Sequence, residues 1–406
     1  MVQVPANSSR MGLALAGGGP QGAVYEIGAL LALEEAIEGL RFTDLDVFVG
    51  VSAGAFIASN LANQMSPVHL CRSLIKTEPG EHPFQPSLFL KPAFGEYVRS
   101  GLNLPAYLWE VALDYLGNRQ DRTLLKSLTK LGRAIPVGLF DNEPIKKFLE
   151  QVFSRKGRTN DFRELKQKLY IVAVELDSGE SIIFGKEGHD HIPISLAVQA
   201  STALPGLYPP VVIDDRHYVD GVLLKTLHTS TILETGIDLA ICINPIVPVN
   251  TRTSVESGYM RRGKLIDRGM PSVLSQTFRT MIHSRMELGI SSYKSRYQGT
   301  DILLIEPSKE DYRMFFTNIF SFSSRKSVCE HAYRSTIKDL YKRKDEVNEI
   351  LKRHGLFLKP EADLEIESKR LNRIWNKQDD KELPVLQKLD ESLELLRKHI
   401  DLKTNS

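Results

Sequence analysis

The segment Gly50-Val-Ser-Ala-Gly54 constrains this chain more than any other. It follows a short apolar run, Asp46-Val-Phe-Val-Gly50, that reads as a buried strand. It precedes a second apolar run, 55–62, that reads as a helix. A serine between glycines at plus and minus two, on a strand-to-helix turn, has the pattern of a nucleophile elbow. The hydroxyl of Ser52 must stand clear of a tight turn. Gly50 and Gly54 leave room for that backbone, and the helix that starts beneath the serine favours a developing anion.

The run Gly17-Gly-Gly-Pro-Gln-Gly22 is the second constraint. It follows the apolar strand 11–16 and opens a helix running to about Ile37. Consecutive glycines at such a junction expose several N–H groups at one point, which suits a phosphate or a tetrahedral oxyanion. The spacing Gly17-x-Gly19-x-x-Gly22 also fits a dinucleotide-binding loop. That alternative, a nucleotide-binding enzyme, wants an acid at the end of the second strand, about 20 residues on. Asp44 and Asp46 come at or before the start of that strand, and its end is taken by the elbow. An acyl-hydrolase reading explains both glycine loops, whereas the nucleotide reading explains one.

Strand, glycine loop, helix, strand, turn, helix is the opening of an α/β fold with a parallel sheet. Further strands are expected at 169–174, 181–184, 211–213, 218–219, 239–244 and 302–306, with helices at 194–201 and 271–294. The α/β-hydrolase scaffold fits poorly, because only one strand precedes the glycine loop and the elbow sits on the second.

Three blocks in order resemble the patatin-like phospholipase family. They are the strand with Gly17–Gly22, the elbow Gly50–Gly54, and Ala200-Ser-Thr-Ala-Leu-Pro205 through Pro209-Pro210 to Tyr218-Val-Asp-Gly221. The resemblance implies a three-layer patatin-like sandwich with a mostly parallel central sheet. It implies a Ser-Asp dyad without a catalytic histidine: Ser52 as nucleophile and Asp220 as general base. The N–H groups of the Gly17-Gly18-Gly19 loop and of Ala53 would hold the oxyanion, with Gly22, Gly50, Gly54 and Gly221 as motif glycines. The implied function is a lipid acyl hydrolase of phospholipase or esterase type, needing no cofactor and no metal. Two positions depart from the family pattern. Gln21 stands where the family usually has Arg or Lys, and Val222 follows Asp220-Gly221 where a small residue is common. A non-catalytic lipid-binding or scaffold protein of the same fold is the competing class, and the intact serine and aspartate argue against it.

The domain reading is a catalytic unit over 1–323 and a charged helical C-terminal extension over 324–406. An irregular or helical insertion at 66–140 carries Phe84, Phe89, Phe94, Tyr97, Tyr107, Trp109 and Tyr115. In the extension, Val385, Leu389, Leu393, Leu396 and Ile400 make one apolar stripe that suits docking on the core or on a second copy of the chain. Aromatic segments 84–109 and 314–320 are candidates for contact with a lipid surface. Lys and Arg number 52 against 50 Asp and Glu, a balance unlike that of a nucleic-acid binder. Cys71, Cys242 and Cys329 show no disulfide or metal spacing, which suits a reducing compartment. No export signal and no membrane span are legible, so a cytoplasmic protein, soluble or peripheral to a membrane, is expected. His217 and His228 flank Asp220 and invite a triad. His189-Asp-His191 resembles a metal-ligand pair without a third ligand.

Overall fold

A computed structural model describes residues 9–76, 91–98, 136–250, 252, 256, 265–311, 322–362 and 374. Most of the 66–140 segment, the aromatic run 314–320 and the stripe 385–400 lie outside the described residues.

The first strand, β1 (Met11–Leu15), leads through the glycine loop into α1 (Gly19–Ala36). β2 (Ile37–Glu38) is a two-residue strand that pairs with β10 (Phe357–Leu358) near the end of the described chain. β3 (Val47–Val51) runs into α2 (Ala53–Ala62). A short helix, α3 (Pro67–Leu70), and a π-helical turn, Cys71–Lys76, follow. Then come α4 (Glu143–Phe153), β4 (Lys168–Glu175), β5 (Ser181–Phe184) and α5 (Ile194–Ser201). The hairpin β6 (Val211–Ile213) and β7 (Arg216–Asp220) leads to α6 (Thr229–Leu233) and β8 (Leu239–Ile243). The chain continues through α7 (Met270–Arg296), β9 (Asp301–Ile305), α8 (Phe322–Lys342) and α9 (Lys344–Arg353).

Strands β4, β3, β1, β8 and β9 lie side by side and parallel. Helices cover both faces, as parallel sheets require. The alternation of side chains shows it directly. Leu13, Leu15, Leu239, Ile241 and Ile243 join the core under α1, α2, α5 and α8. Their neighbours Ala14, Ala16, Ala240 and Cys242 join the core under α6 and α7. The expected mixed α/β class with a mostly parallel central sheet is therefore observed.

α8 lies against α1 at the closest range backbone permits. A Cβ on Gly28 would stand 2.4 Å from the Cys329 carbonyl oxygen, so only glycine fits. Val328, Cys329, Ala332 and Tyr333 of α8 are part of the main core. Cys71 and Cys329, remote in sequence, meet there as buried free thiols, and that contact together with burial pushes the Cys329 thiol upward.

The strand registers place the site. One edge of β4 pairs with β5 over 171–174. The other edge pairs with β3 only as far as Val51↔Val172. There β3 turns away, and antiparallel β7 takes over the same edge, beginning at Asp220↔Ala173. The end of β3 and the end of β7 thus abut at consecutive residues of one strand, which brings the residues after Val51 and at Asp220 together.

Candidate active site

Ser52 sits between β3 and α2 with φ 55 and ψ −121, a conformation that costs a non-glycine residue about 1–3 kcal/mol. The surroundings enforce it. A Cβ on Gly50 would lie 2.4 Å from the Gly54 carbonyl oxygen. One on Gly54 would lie 2.5 Å from the Leu15 carbonyl. The Ser52 N–H donates to Ser201 Oγ at 2.8 Å, and that hydroxyl donates to the Val172 carbonyl at 2.6 Å. Ser201, the last residue of α5, thereby ties the elbow to β4. Its motif is visible in the sequence, but its bond to a residue 149 positions away is not.

Asp220 ends β7 and is buried. Its carboxylate lies beside the Ser52 side chain, and Oδ1 accepts from the Val222 N–H at 2.9 Å. Burial lifts its pKa from the ordinary 3.8 to about 7, against the smaller lowering effects of Ser52 and of the Val222 N–H. No cation appears among the groups that shift it. Gly221 is required where it stands, because a Cβ there would lie 2.4 Å from the Val172 carbonyl oxygen. Val222 is accommodated in the second core and packs 3.1 Å from where a Cβ on Gly17 would be.

The glycine loop lies beside the serine. A Cβ on Gly17 would also be 3.3 Å from Ser52 Cβ, whereas one on Gly19 would meet nothing within 4 Å. Gly18 and Gly19 adopt φ of 151 and 60, and Gly22 closes the turn by donating to the Gly18 carbonyl. Among the described residues, the N–H groups of Gly18, Gly19 and Ala53 donate to no acceptor. Gly18 precedes α1, and Gly19 and Ala53 are the first residues of α1 and α2. Two helix N-termini therefore present unpaired donors and positive dipole ends to the same space.

That space is a cavity of about 500 Å³. Gly18, Gly19, Ser52, Ala53 and Asp220 are in its wall. The rest is mainly apolar, with Phe56, Leu74, Ile145, Leu204, Phe278 and Ile282 among the contributors. Two cations also reach it, Arg279 from α7 and Arg325 from α8. Burial lowers the pKa of both guanidinium groups. They lie beyond the recognisable blocks, so sequence spacing offered no signal for them. They supply positive charge to a site whose glycine loop carries Gln21.

The histidines lie elsewhere. His217 is half-exposed, with Nδ1 3.6 Å from Asp177. His228 is buried near the Gly221 carbonyl. Burial, aided by Lys225, pushes its pKa down to about 3, so it is neutral at pH 7. His191 lies 3.7 Å from Asp214, and His189 packs edge-on to Phe184. No cluster of three metal-ligating side chains occurs among the described residues. No described helix is long and apolar enough to cross a membrane.

A strained serine on a strand-to-helix turn, a buried carboxylate beside it and an apolar cavity define a hydrolase-like α/β protein. The family description "Patatin-like phospholipase" matches residues 13–230, more than half of the 406, and the chain belongs to that family. Among solved structures it is similar to VipD from Legionella pneumophila, at 16% identity and TM-score 0.36, over 83% of this chain and 67% of that one. It is similar to the type III effector ExoU of Pseudomonas aeruginosa, at 15% identity and TM-score 0.35, over 83% and 54%. It is also similar to human GIVD cytosolic phospholipase A2 in complex with a fluorophosphonate, at 13% identity and TM-score 0.35, over 86% and 59%. The chain thus matches between about half and two thirds of the length of these proteins.

Proposed function

We propose that this protein hydrolyses carboxylic esters of lipids, in the manner of a phospholipase A or lysophospholipase, through a Ser52–Asp220 dyad. The observation that supports it most is the placing of Ser52 beside a buried carboxylate whose pKa is about 7, at the wall of an apolar cavity. A general base works best with a pKa near the working pH, and an unperturbed aspartate at 3.8 would be too weak.

In this reading Asp220 takes the Ser52 hydroxyl proton as Oγ attacks the ester carbonyl carbon. The carbonyl oxygen becomes an oxyanion held by the N–H groups of Gly18, Gly19 and Ala53. Collapse of that intermediate breaks the ester bond. The leaving alcohol takes the proton back from Asp220, and the acyl group stays on Ser52. A water molecule then gives a proton to Asp220 and attacks the acyl carbon. The second intermediate expels Ser52 Oγ, which recovers the proton from Asp220, and a fatty acid departs. The apolar wall accommodates the acyl chain. The two arginines suit a lipid with an anionic headgroup or product.

Ser52→Ala tests the assignment. Turnover of a soluble short-chain ester and labelling by a fluorophosphonate should both fall by orders of magnitude, with the circular dichroism spectrum unchanged. A folded variant that keeps near-wild-type turnover would remove Ser52 as nucleophile. A wild-type protein that neither labels nor turns over any ester would leave the scaffold reading standing.

A further inference from the structure

Helix α7 exposes apolar residues where a surface helix normally carries charge. Met270, Leu274, Phe278, Met281 and Leu288 are 72%, 47%, 48%, 45% and 70% exposed. At about 100° per residue they fall within one arc of about 80°, and from Met270 to Leu288 they run along about 27 Å of helix. Arg285 and Arg296 lie on the same arc, which contains no acid. The helix's single acid, Glu287, is on the opposite side, 3.2 Å from Lys309 and 3.4 Å from His283. A contiguous exposed apolar patch of this kind marks an interaction surface.

We infer that this stripe docks on a lipid surface carrying anionic headgroups and sets the mouth of the cavity against it. Continuity with the cavity is the first support. Ser275, Arg279 and Ile282, on the adjoining flank of α7, are in the cavity wall. Phe278 belongs to both, lining the cavity while standing on the exposed arc. An acyl chain leaving a bilayer beside Phe278 would enter the cavity without crossing water. Charge is the second support. Arg285 and Arg296 flank the apolar residues as cations flank the buried face of an interfacial helix. A parallel two-fold pairing of the stripe would set Arg285 and Arg296 against their own copies, so the same charges count against that arrangement of a second chain.

The purpose of the surface rests on the esterase reading, but its existence does not, so binding is measured on Ser52→Ala protein. Full-length Ser52→Ala is co-sedimented with phosphatidylcholine vesicles, with and without phosphatidylserine. The same protein carrying Leu274→Gln and Leu288→Gln is the comparison, since neither leucine lines the cavity and glutamine is a good helix former. The parent should bind, more tightly with phosphatidylserine and less at high salt. The double variant should bind at least about tenfold more weakly. In otherwise wild-type protein the two substitutions should leave turnover of a soluble short-chain ester unchanged. Equal binding by parent and double variant, or no binding by the parent, overturns the inference. So does light scattering that shows a dimer in the parent and a monomer in the double variant, which would make the stripe a self-interface. Vesicle binding lost with the two leucines, in a protein that hydrolyses no ester, would leave the surface standing and remove the esterase reading alone.

Discussion

Asp220→Asn should stabilise the fold at pH 8 relative to wild type, and the advantage should shrink steadily toward pH 5. Native Asp220 holds its proton up to about pH 7, whereas the unfolded chain releases it near the ordinary 3.8. Between those values the native state binds more protons, so stability falls as pH rises and levels off above about pH 7. The stabilisation associated with the raised pKa is complete only below about pH 4 and is gone by pH 8. From pH 5 to the native pKa is about 2 units, which at about 1.36 kcal/mol each is roughly 3 kcal/mol. Asparagine keeps an oxygen for the Val222 N–H and has no charge to desolvate. Titrations shared by both proteins cancel in the difference between them. Urea or thermal unfolding at pH 5, 6, 7 and 8 should therefore show the Asn-minus-Asp difference growing by about 3 kcal/mol across the series, or about 5 °C in Tm. A difference that is flat, or that widens toward pH 5, would refute a buried, uncompensated carboxylate at this position.

Catalysis should follow the opposite trend. The kcat/KM for a non-ionising ester should rise about tenfold per pH unit up to about pH 7 and then level, and His217→Ala should leave that profile in place because Asp220 carries it. Gly54→Ala should lose about 3 kcal/mol or more in denaturant unfolding, since its Cβ would lie 2.5 Å from the Leu15 backbone. Gly19→Ala meets no atom within 4 Å and should fold with a loss of only about 1–2 kcal/mol from its φ of 60. It should nevertheless turn over ester more slowly, because the new methyl group stands beside the proposed oxyanion donors.

The parts of the site that are legible in the sequence are those where backbone meets backbone. Gly50, Gly54 and Gly221 each face a carbonyl group at 2.4 or 2.5 Å from any added Cβ, so each admits a single residue type and leaves a fixed mark at a fixed spacing. The alternating strands 11–15, 47–51 and 239–243 are legible for the related reason that both faces of a parallel sheet are buried and the runs stay apolar throughout. Side-chain functions that depend on distant partners leave no such mark. Ser201 holds Ser52 from 149 residues away, and Arg279 and Arg325 reach the cavity from helices beyond the matched region. The exposed stripe on α7 was also hidden. Its apolar residues are interspersed with serine, threonine and arginine, and only the fold shows that the apolar arc faces outward while its neighbour lines the cavity.

The distribution of charge around Asp220 connects the chemistry to the fold. A triad would need an imidazole between the carboxylate and Ser52, with the carboxylate ionised to orient it. Here the Ser52 side chain lies beside Asp220. His228 is buried near the Gly221 carbonyl and neutral at pH 7, and His217 faces Asp177. A cation beside Asp220 would stabilise the ionised fold but would draw the pKa down toward or below 3.8, leaving the carboxylate too weak to take a proton from serine. The abutting ends of β3 and β7 solve this by packing. The registers on β4 bring Asp220 to Ser52 without a charged escort, and Val51, Val172 and Ala173 bury the joint. On the proposed reading, the burial that would make Asp220 a competent base at neutral pH also makes the protein less stable there, and a single substitution, Asp220→Asn, should reverse both effects together.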